Sequence, residues 1–394
     1  MGNIGRDADL PRLFRTGRRG SLVSTGKPRV RVNSSRRVYS NLMLKPRDSI
    51  ANLSPYLSPI VSRAGLSLDL NESMAGCSPR VLARLRLLSA TDLSLYPQRE
   101  AGEQLVASFL GIAPEQVLLT NGMDEALSLL FSAYLDPADE LLFADPTFVM
   151  YPMLGQALGA QVVRVQSGED LALPVAGLLA RISPRTRVIA IANPNNPTGL
   201  AAARADLRKI LDAAPDSAVL IDEAYFEFCG ETLISDLARH PNLFVARTFS
   251  KVYGLAGLRL GVLTGAAEQI DYLRRLSLPF NVNSVALACL EEALADQAFA
   301  CDHVAQVKPG REQLAHLFDE LGLRFWPSQT NFVLVRVGES ANAFVESMRR
   351  RGILVRDSSA NPGCDGCVRI TVGTPGQMDG VLQAIREGIA ETRL

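Results

Sequence analysis

Between Val117 and Gly265, short apolar runs recur at regular intervals, separated by amphipathic stretches. Val117–Thr120, Leu141–Ala144, Val162–Val165, Val188–Ala192, Val219–Asp222, Leu243–Ala246 and Leu260–Leu263 show little polar alternation, which predicts seven strands buried on both faces. Glu125–Tyr134, Met150–Leu158 and Ala205–Ala213 have helical spacing instead. The alternation predicts an α/β fold: a large domain with a seven-stranded, mostly parallel sheet. After Leu278-Pro-Phe280 the texture changes. Helices are expected at Ser284–Leu294, Val304–Leu321, Ala341–Arg350 and Gln377–Glu391, and strands at Asn331–Val337, Ile353–Arg356 and Val368–Thr371, making a smaller α+β domain. The boundaries implied are residues 1–48 as an extension, 49–82 as an arm and part of the small domain, 83–282 as the large domain and 283–394 as the rest of the small domain.

Composition changes this picture in one place. The chain has 394 residues, 47% hydrophobic and 21% charged, an ordinary globular composition with room for two domains. Its formal net charge of zero hides an asymmetry: residues 1–48 carry 12 Lys and Arg against 3 Asp, leaving 29 basic against 38 acidic residues beyond. The basic stretch lacks apolar periodicity and is expected to be disordered. A transit peptide, a nucleic-acid-binding arm and a plain non-folding extension remain open readings, the second disfavoured because no aromatic residues interleave the charges. No run of eighteen apolar residues predicts a membrane span, and no signal-like apolar core follows a charged start. Six scattered cysteines suit a reducing compartment, so the expected location is the cytoplasm, or an organelle if residues 1–48 are a transit peptide.

Unusual polar residues follow the strands. Asn121-Gly122 comes after the first, Asp145-Pro-Thr-Phe148 after the second and Asn193-Pro-Asn-Asn-Pro-Thr-Gly199 after the fourth; Asp222 closes the fifth and Ser250-Lys251 follows the sixth. In parallel sheets such carboxyl-end loops converge on one crevice. Gly122 and Met123 open a helix, whose free N–H groups attract an anion, and Thr248, Ser250 and Arg259 add hydroxyls and a cation. Asp222 can pair with a protonated ring nitrogen, Asn196 and Tyr225 with a ring hydroxyl, and Phe148 can stack on a ring face. Lys251 beside them is placed to form a Schiff base with an aldehyde. Pyridoxal 5′-phosphate satisfies all of these partners.

Taken in order, Asn193-Pro-Asn-Asn-Pro-Thr-Gly199, Asp222-Glu-Ala-Tyr225, Thr248-Phe-Ser-Lys251 and Gly257-Leu-Arg-Leu-Gly261 carry a resemblance. From about Pro55 onward the chain resembles the class I/II aminotransferases of fold type I. Ser54-Pro-Tyr56, Pro279-Phe-Asn-Val-Asn283, Gly352-Ile-Leu-Val-Arg-Asp357 and Gly366-Cys-Val-Arg-Ile-Thr-Val-Gly-Thr374 make it most similar to the histidinol-phosphate aminotransferase branch. The resemblance implies that Lys251 carries the cofactor and then the proton shift, that Asp222 keeps the ring nitrogen protonated, and that Tyr225 and Asn196 hold the ring oxygen. It implies backbone N–H groups of Met123 and Asp124 for the phosphate, completed by Thr248, Ser250 and Arg259. Tyr96 would reach the cofactor phosphate of a neighbouring subunit, so a homodimer with shared sites is expected. Tyr56, Arg356 and Arg369 would grip the substrate, with 2-oxoglutarate as acceptor. One stretch departs from the family: Asn71-Glu-Ser-Met-Ala-Gly76 stands where many members read Asn-Glu-Asn-Pro-Tyr-Gly. An aromatic or other amino-acid aminotransferase, or a phosphoamino-acid decarboxylase on the same fold, therefore stays open.

Taken singly, these residues have plainer readings. A lone lysine or arginine belongs on the surface, Phe148 in a core, and a Pro-rich stretch in a turn. No Gly-x-Gly-x-x-Gly follows an early strand and no P-loop is spaced correctly, so nicotinamide and nucleotide chemistry are not indicated. His240, His303 and His316 follow no triad or metal-ligand spacing. Cys364-Asp-Gly-Cys367 is half a zinc motif without its second half, and is expected to be an exposed loop with a labile disulfide.

Overall fold

The computed structural model describes residues 44–55 and 64–392, and residues 47–394 form one unit. The described residues hold thirteen strands: β1 (Leu66–Ser67), β2 (Val117–Thr120), β3 (Glu140–Asp145), β4 (Gln161–Gln166), β5 (Thr186–Ala192), β6 (Ala218–Asp222), β7 (Leu243–Thr248), β8 (Gly261–Thr264), β9 (Arg324–Trp326), β10 (Phe332–Arg336), β11 (Ile353–Leu354), β12 (Arg356–Asp357) and β13 (Cys367–Thr371). All seven expected strands join one sheet in the order β2-β8-β7-β6-β5-β3-β4. It is parallel from β7 through β4, and β8 runs antiparallel to both β7 and β2. The chain therefore has an α/β fold with a mixed seven-stranded central sheet.

Alternate residues of these strands face two layers, as the pleat requires. Phe143, Val188, Ala190, Leu220 and Phe244 pack with helices Met123–Tyr134, Met150–Leu158 and Ala267–Leu276. Leu142, Ile189, Ile191, Val219, Ile221 and Val245 pack with helices Val175–Arg181 and Arg204–Ala213. Each such side chain taken fully from water contributes about 1.5–3 kcal/mol. The register sets Asp222 opposite Ala192 of β5 and Ala246 of β7, so the functional loops begin at one level.

A four-stranded antiparallel sheet, β12-β13-β10-β9, packs Val333, Val335, Val368 and Ile370 with residues of helices Gln297–Glu320, Ala341–Arg350 and Pro375–Thr392. On the opposite face Trp326, Leu334 and Cys367 cluster with Leu171 and Cys364. β1 pairs in parallel with β11, which ties the segment after residue 64 to the C-terminal part of the chain. Among the described residues no helix is long and apolar enough to cross a membrane.

Several expectations are corrected. β4 is not buried on both faces: it ends the sheet, and its residues are exposed or half-buried because only β3 flanks it. The strand expected at Ile353–Arg356 is two strands, β11 and β12, serving different sheets. The helix expected from Val304 begins at Gln297, capped by Asp296, and β9 was not anticipated. The Cys364–Cys367 loop is not exposed at its sulfurs: both side chains are fully buried and both thiols are free. Tyr56 and residues 1–43 lie outside the described residues.

Candidate active site

A cleft of about 280 Å³ opens at the carboxyl ends of the parallel strands. Met123, Asp124, Phe148, Asn196, Asp222, Tyr225, Thr248, Ser250, Lys251, Arg259 and Arg369 all line it, together with Leu70, Asn71 and Glu72. Eleven of the expected site residues are therefore brought together from loops that follow β2, β3, β5, β6 and β7, and from β13.

The anion end is built by backbone. Gly122 is the N-cap of helix Met123–Tyr134 at φ 78, and having no side chain it leaves the first-turn N–H groups uncapped. Arg259 lies against it: a Cβ on Gly122 would meet Arg259 Nη2 at 2.7 Å. The start of β8 comes as close, since a Cβ on Gly261 would stand 2.9 Å from Met123 N. Thr248 Oγ1 donates to Ser250 Oγ at 3.0 Å, and Arg259 pairs with Asp124 Oδ2 at 3.0 Å. Helix N-terminus, two hydroxyls and a guanidinium together fit a phosphate group.

Asp222 stands at the opposite end, buried. Its Oδ2 accepts from the Tyr151 hydroxyl at 2.8 Å and its Oδ1 from Ala224 N–H at 3.0 Å. Burial pushes its carboxyl up to about 6, against the pull of those two donors. A cationic ring nitrogen would pair with such a buried carboxylate and favour its ionised form. Lys251 donates to Leu70 O at 3.2 Å, and its Nζ lies 5.7 Å from the centre of the Tyr225 ring. Burial, reinforced by the positive charge of Arg369, brings its amine down to about 8, so far more of it is neutral near neutrality than of an ordinary lysine. These residues fit pyridoxal phosphate: an anion cradle, a buried carboxylate and a nucleophilic amine within one cleft.

Tyr225 OH accepts from Asn71 Nδ2 at 2.8 Å, and its ring meets Phe332 edge-on with centroids 5.3 Å apart. Burial raises its phenol above the ordinary value. Asn71, buried at φ 55, is fixed by Asn331 Nδ2 on its carbonyl at 3.1 Å and by Thr371 Oγ1 at its amide. Arg369 donates to Asn196 Oδ1 and, at 2.6 Å, to the Asp69 carbonyl. Phe148 lines the cleft and packs its ring edge-on against Tyr151.

Two expected residues stand apart from the cleft. Arg356 does not line it but is the cross-strand partner of Arg369, so the two side chains share one sheet face. Tyr96 is 77% exposed and stacks on Phe280 with centroids 4.3 Å apart, away from the cleft. Sequence reasoning missed Tyr151 and Asn71. Tyr151 carried one signal, its place one helical turn after Phe148; Asn71 carried only its position in the departing stretch.

The sequence profile for aminotransferase class I and II matches residues 64–385. A histidinol-phosphate aminotransferase of Dehalococcoides mccartyi is 34% identical over 330 residues, covering 83% of this chain and 91% of the relative. Histidinol-phosphate aminotransferase 2 of Pseudomonas fluorescens is 37% identical over 359 residues, covering 86% and 96%. The solved structure of histidinol-phosphate aminotransferase from Sinorhizobium meliloti, in complex with pyridoxal-5′-phosphate, superposes with a TM-score of 0.81 at 26% identity, covering 89% of this chain and 98% of that one.

Proposed function

From a chain that belongs to the class I and II aminotransferases and uses pyridoxal phosphate, we propose a histidinol-phosphate aminotransferase with 2-oxoglutarate as amino acceptor. The observation that carries the substrate assignment is Arg369, which projects from β13 into the cleft with Arg356 opposite it on the same sheet face. Arg369, held by Asn196 and the Asp69 carbonyl, with a second arginine on the same sheet face, suits a phosphate monoester on the donor and a carboxylate on the acceptor, so one anion site serves both half-reactions. The names of the relatives support the same choice.

The cofactor supplies an aldehyde that takes up the substrate amine and a ring that accepts the electron pair left at Cα. The chain supplies the rest. Lys251 would hold the cofactor and, as a free amine, would take up and return the proton at the substrate Cα. Asp222, oriented by Tyr151 and Ala224, keeps a proton on the ring nitrogen. Tyr225 and Asn196 would hold the ring oxygen, Phe148 would cover the ring, and Gly122, Met123, Asp124, Thr248, Ser250 and Arg259 would hold the phosphate. Residues 83–282 form the cofactor-binding part, and residues 49–82 with 283–394 form the part that carries the substrate arginines. Tyr56 joins the substrate grip in this reading.

A homodimer belongs to the proposal. Leu93, Leu95, Tyr96, Leu278 and Phe280 are each more than half exposed, an apolar surface around the Tyr96–Phe280 stack, and a second copy would cover it and place Tyr96 beside the partner's cofactor phosphate. The six cysteines, all free, accord with a cytoplasmic enzyme.

The test is a half-reaction followed by visible absorption. Cofactor-loaded protein is mixed separately with histidinol phosphate, phenylalanine and glutamate. Fastest loss of the bound-aldehyde band with histidinol phosphate supports the assignment; conversion by phenylalanine alone moves the substrate and leaves the mechanism. Carbon dioxide release in place of 2-oxo product would make the enzyme a decarboxylase.

A further inference from the structure

The proposed reaction leaves the buried thiol pair of the β12–β13 connection unused. Cys364-Asp-Gly-Cys367 closes a hydrogen-bonded turn in which Cys367 N–H donates to Cys364 O at 2.9 Å and Gly366 sits at φ 68. Such a turn holds its first and fourth Cα atoms within about 7 Å, the span that a disulfide bridges. Both side chains are fully buried in one cluster with Leu171, Trp326 and Leu334. The Cys367 thiol donates to the Asp365 carbonyl at 3.8 Å; the neighbouring Cys364 thiol holds Cys367 below the ordinary thiol range and is itself raised, and the Arg336 guanidinium beside Cys367 lowers Cys367 further. Arg336 is the cross-strand partner of Cys367; its Nη2 donates to Gly363 O at 2.9 Å, while its buried Nε has no hydrogen-bond partner. Among the described residues no group of three or more His, Cys, Asp or Glu gathers to hold a metal, so a zinc site does not account for the pair.

The connection to the cleft is short. Cys367 and Arg369 lie two residues apart in β13, on the same face, and the Cys367 carbonyl accepts from Ser358 N–H at 2.9 Å just beyond β12. We propose that Cys364 and Cys367 form a reversible dithiol–disulfide pair, oxidised by a hydroperoxide, whose oxidised state loosens the hold of Arg369 on the anionic end of the amino donor. The Cys367 thiolate attacks the terminal oxygen of the hydroperoxide, forming a sulfenic acid and releasing an alcohol, or water when the oxidant is hydrogen peroxide. The Cys364 sulfur then displaces the sulfenic oxygen as water. Two thiols and one hydroperoxide thus become one disulfide, one alcohol and one water, and a reducing dithiol restores the pair. An S–S bond brings the sulfurs to about 2 Å, so both side chains reorient inside the close-packed cluster with Leu171, Trp326 and Leu334, and the strain of that repacking falls on β13 at Cys367. A two-point grip on an anion is sensitive to shifts well under 1 Å at the neighbouring strand position.

The experiment uses the full-length, cofactor-loaded enzyme treated with graded hydrogen peroxide, analysed by peptide mass mapping and by steady-state kinetics. The expected result is a Cys364–Cys367 bridged peptide with two of the six thiols lost. KM for the amino donor should rise about fivefold with kcat within about twofold, and dithiothreitol should reverse both changes. The double variant C364S/C367S should keep the reduced-state KM and lose the peroxide response. C364S alone should trap a Cys367 sulfenic acid, captured by a 1,3-diketone, which keeps the chemistry testable if the double variant does not fold. The proposal is overturned if no bridge forms at doses that oxidise the exposed Cys301, if the bridge forms with KM unchanged, or if the double variant shares the KM rise. The kinetic arm rests on the role given to Arg369 above and uses whichever donor turns over. The bridge itself is read by mass, so failure of the substrate assignment and failure of the redox pair are distinguishable.

Discussion

Tyr151→Phe removes one hydroxyl and leaves the ring, which is fully buried against Phe131, Phe143 and Phe148. The core therefore keeps its volume and its edge-on contacts, and the variant should fold. What it loses is the 2.8 Å hydrogen bond to Asp222 Oδ2. A hydrogen bond to a charged group is worth about 1.5–3 kcal/mol, and one pH unit corresponds to about 1.36 kcal/mol, so the carboxyl should rise by about 1–2 units. The sign follows from the donor: the hydroxyl favours the carboxylate, so its removal favours the acid.

In the cofactor-free protein Asp222 already sits near 6, and the variant would carry it to about 7–8, with only Ala224 N–H still favouring the ionised form. With cofactor bound, the carboxylate and the ring nitrogen titrate as one coupled pair, so the observable is the acid limb of kcat/KM. That limb should move up by about 1–2 pH units, with a loss of about two- to tenfold near neutrality that recovers on the alkaline side. Half-reaction rates at fixed donor concentration from pH 5.5 to 9 test this, with the bound-cofactor spectrum confirming occupancy. An unchanged acid limb together with unchanged rates would refute the tuning role. A uniform loss at every pH would assign Tyr151 to position alone.

Other expectations are simpler. Lys251 lies near 8 in the cofactor-free protein and only its neutral amine condenses with an aldehyde, so cofactor uptake should accelerate as pH rises through about 8 and level off above; a flat rate across that range contradicts the reasoning. Lys251→Ala should bind cofactor loosely and show no turnover, and wild-type-like activity would remove it from the mechanism. Arg369→Gln, by losing charge-assisted bonds worth about 1.5–3 kcal/mol each, should lower kcat/KM for the donor by about a hundredfold or more while the cofactor spectrum stays normal. Gly122→Ala places a Cβ 2.7 Å from Arg259 Nη2 at a φ of 78, and should weaken cofactor binding by about tenfold in equilibrium dialysis without altering donor specificity.

The large sheet was legible because a strand flanked on both sides must be apolar at successive positions, and β5, β6 and β7 are. The same rule misled at β4, since Val162, Val163 and Val165 look central in sequence while only topology reveals the edge. β11 and β12 show the converse: one apolar run feeds two sheets, because Leu354 faces Ser67 and Arg356 faces Arg369. Partner identity is a tertiary fact that local periodicity does not carry.

The site divides along the same line. Asp222, Lys251 and Asn196 could be read because a parallel sheet converts position after a strand into position in space. Tyr151 sits in an apolar helical stretch and reads as core; its function lies in a hydroxyl that reaches a residue 71 positions away. Asn71 reaches 154 positions to Tyr225 and 300 to Thr371. These contacts join the cofactor loops to the strand that holds Arg369, so the substrate side is assembled from segments with no sequence order in common. Arg369 itself donates to Asn196 on one side and to the Asp69 carbonyl on the other. An incoming anion would share that guanidinium with Asn196, whose Oδ1 accepts from one of its five N–H groups. The shared arginine therefore links occupancy of the donor site to Asn196, the residue assigned to the cofactor's ring oxygen.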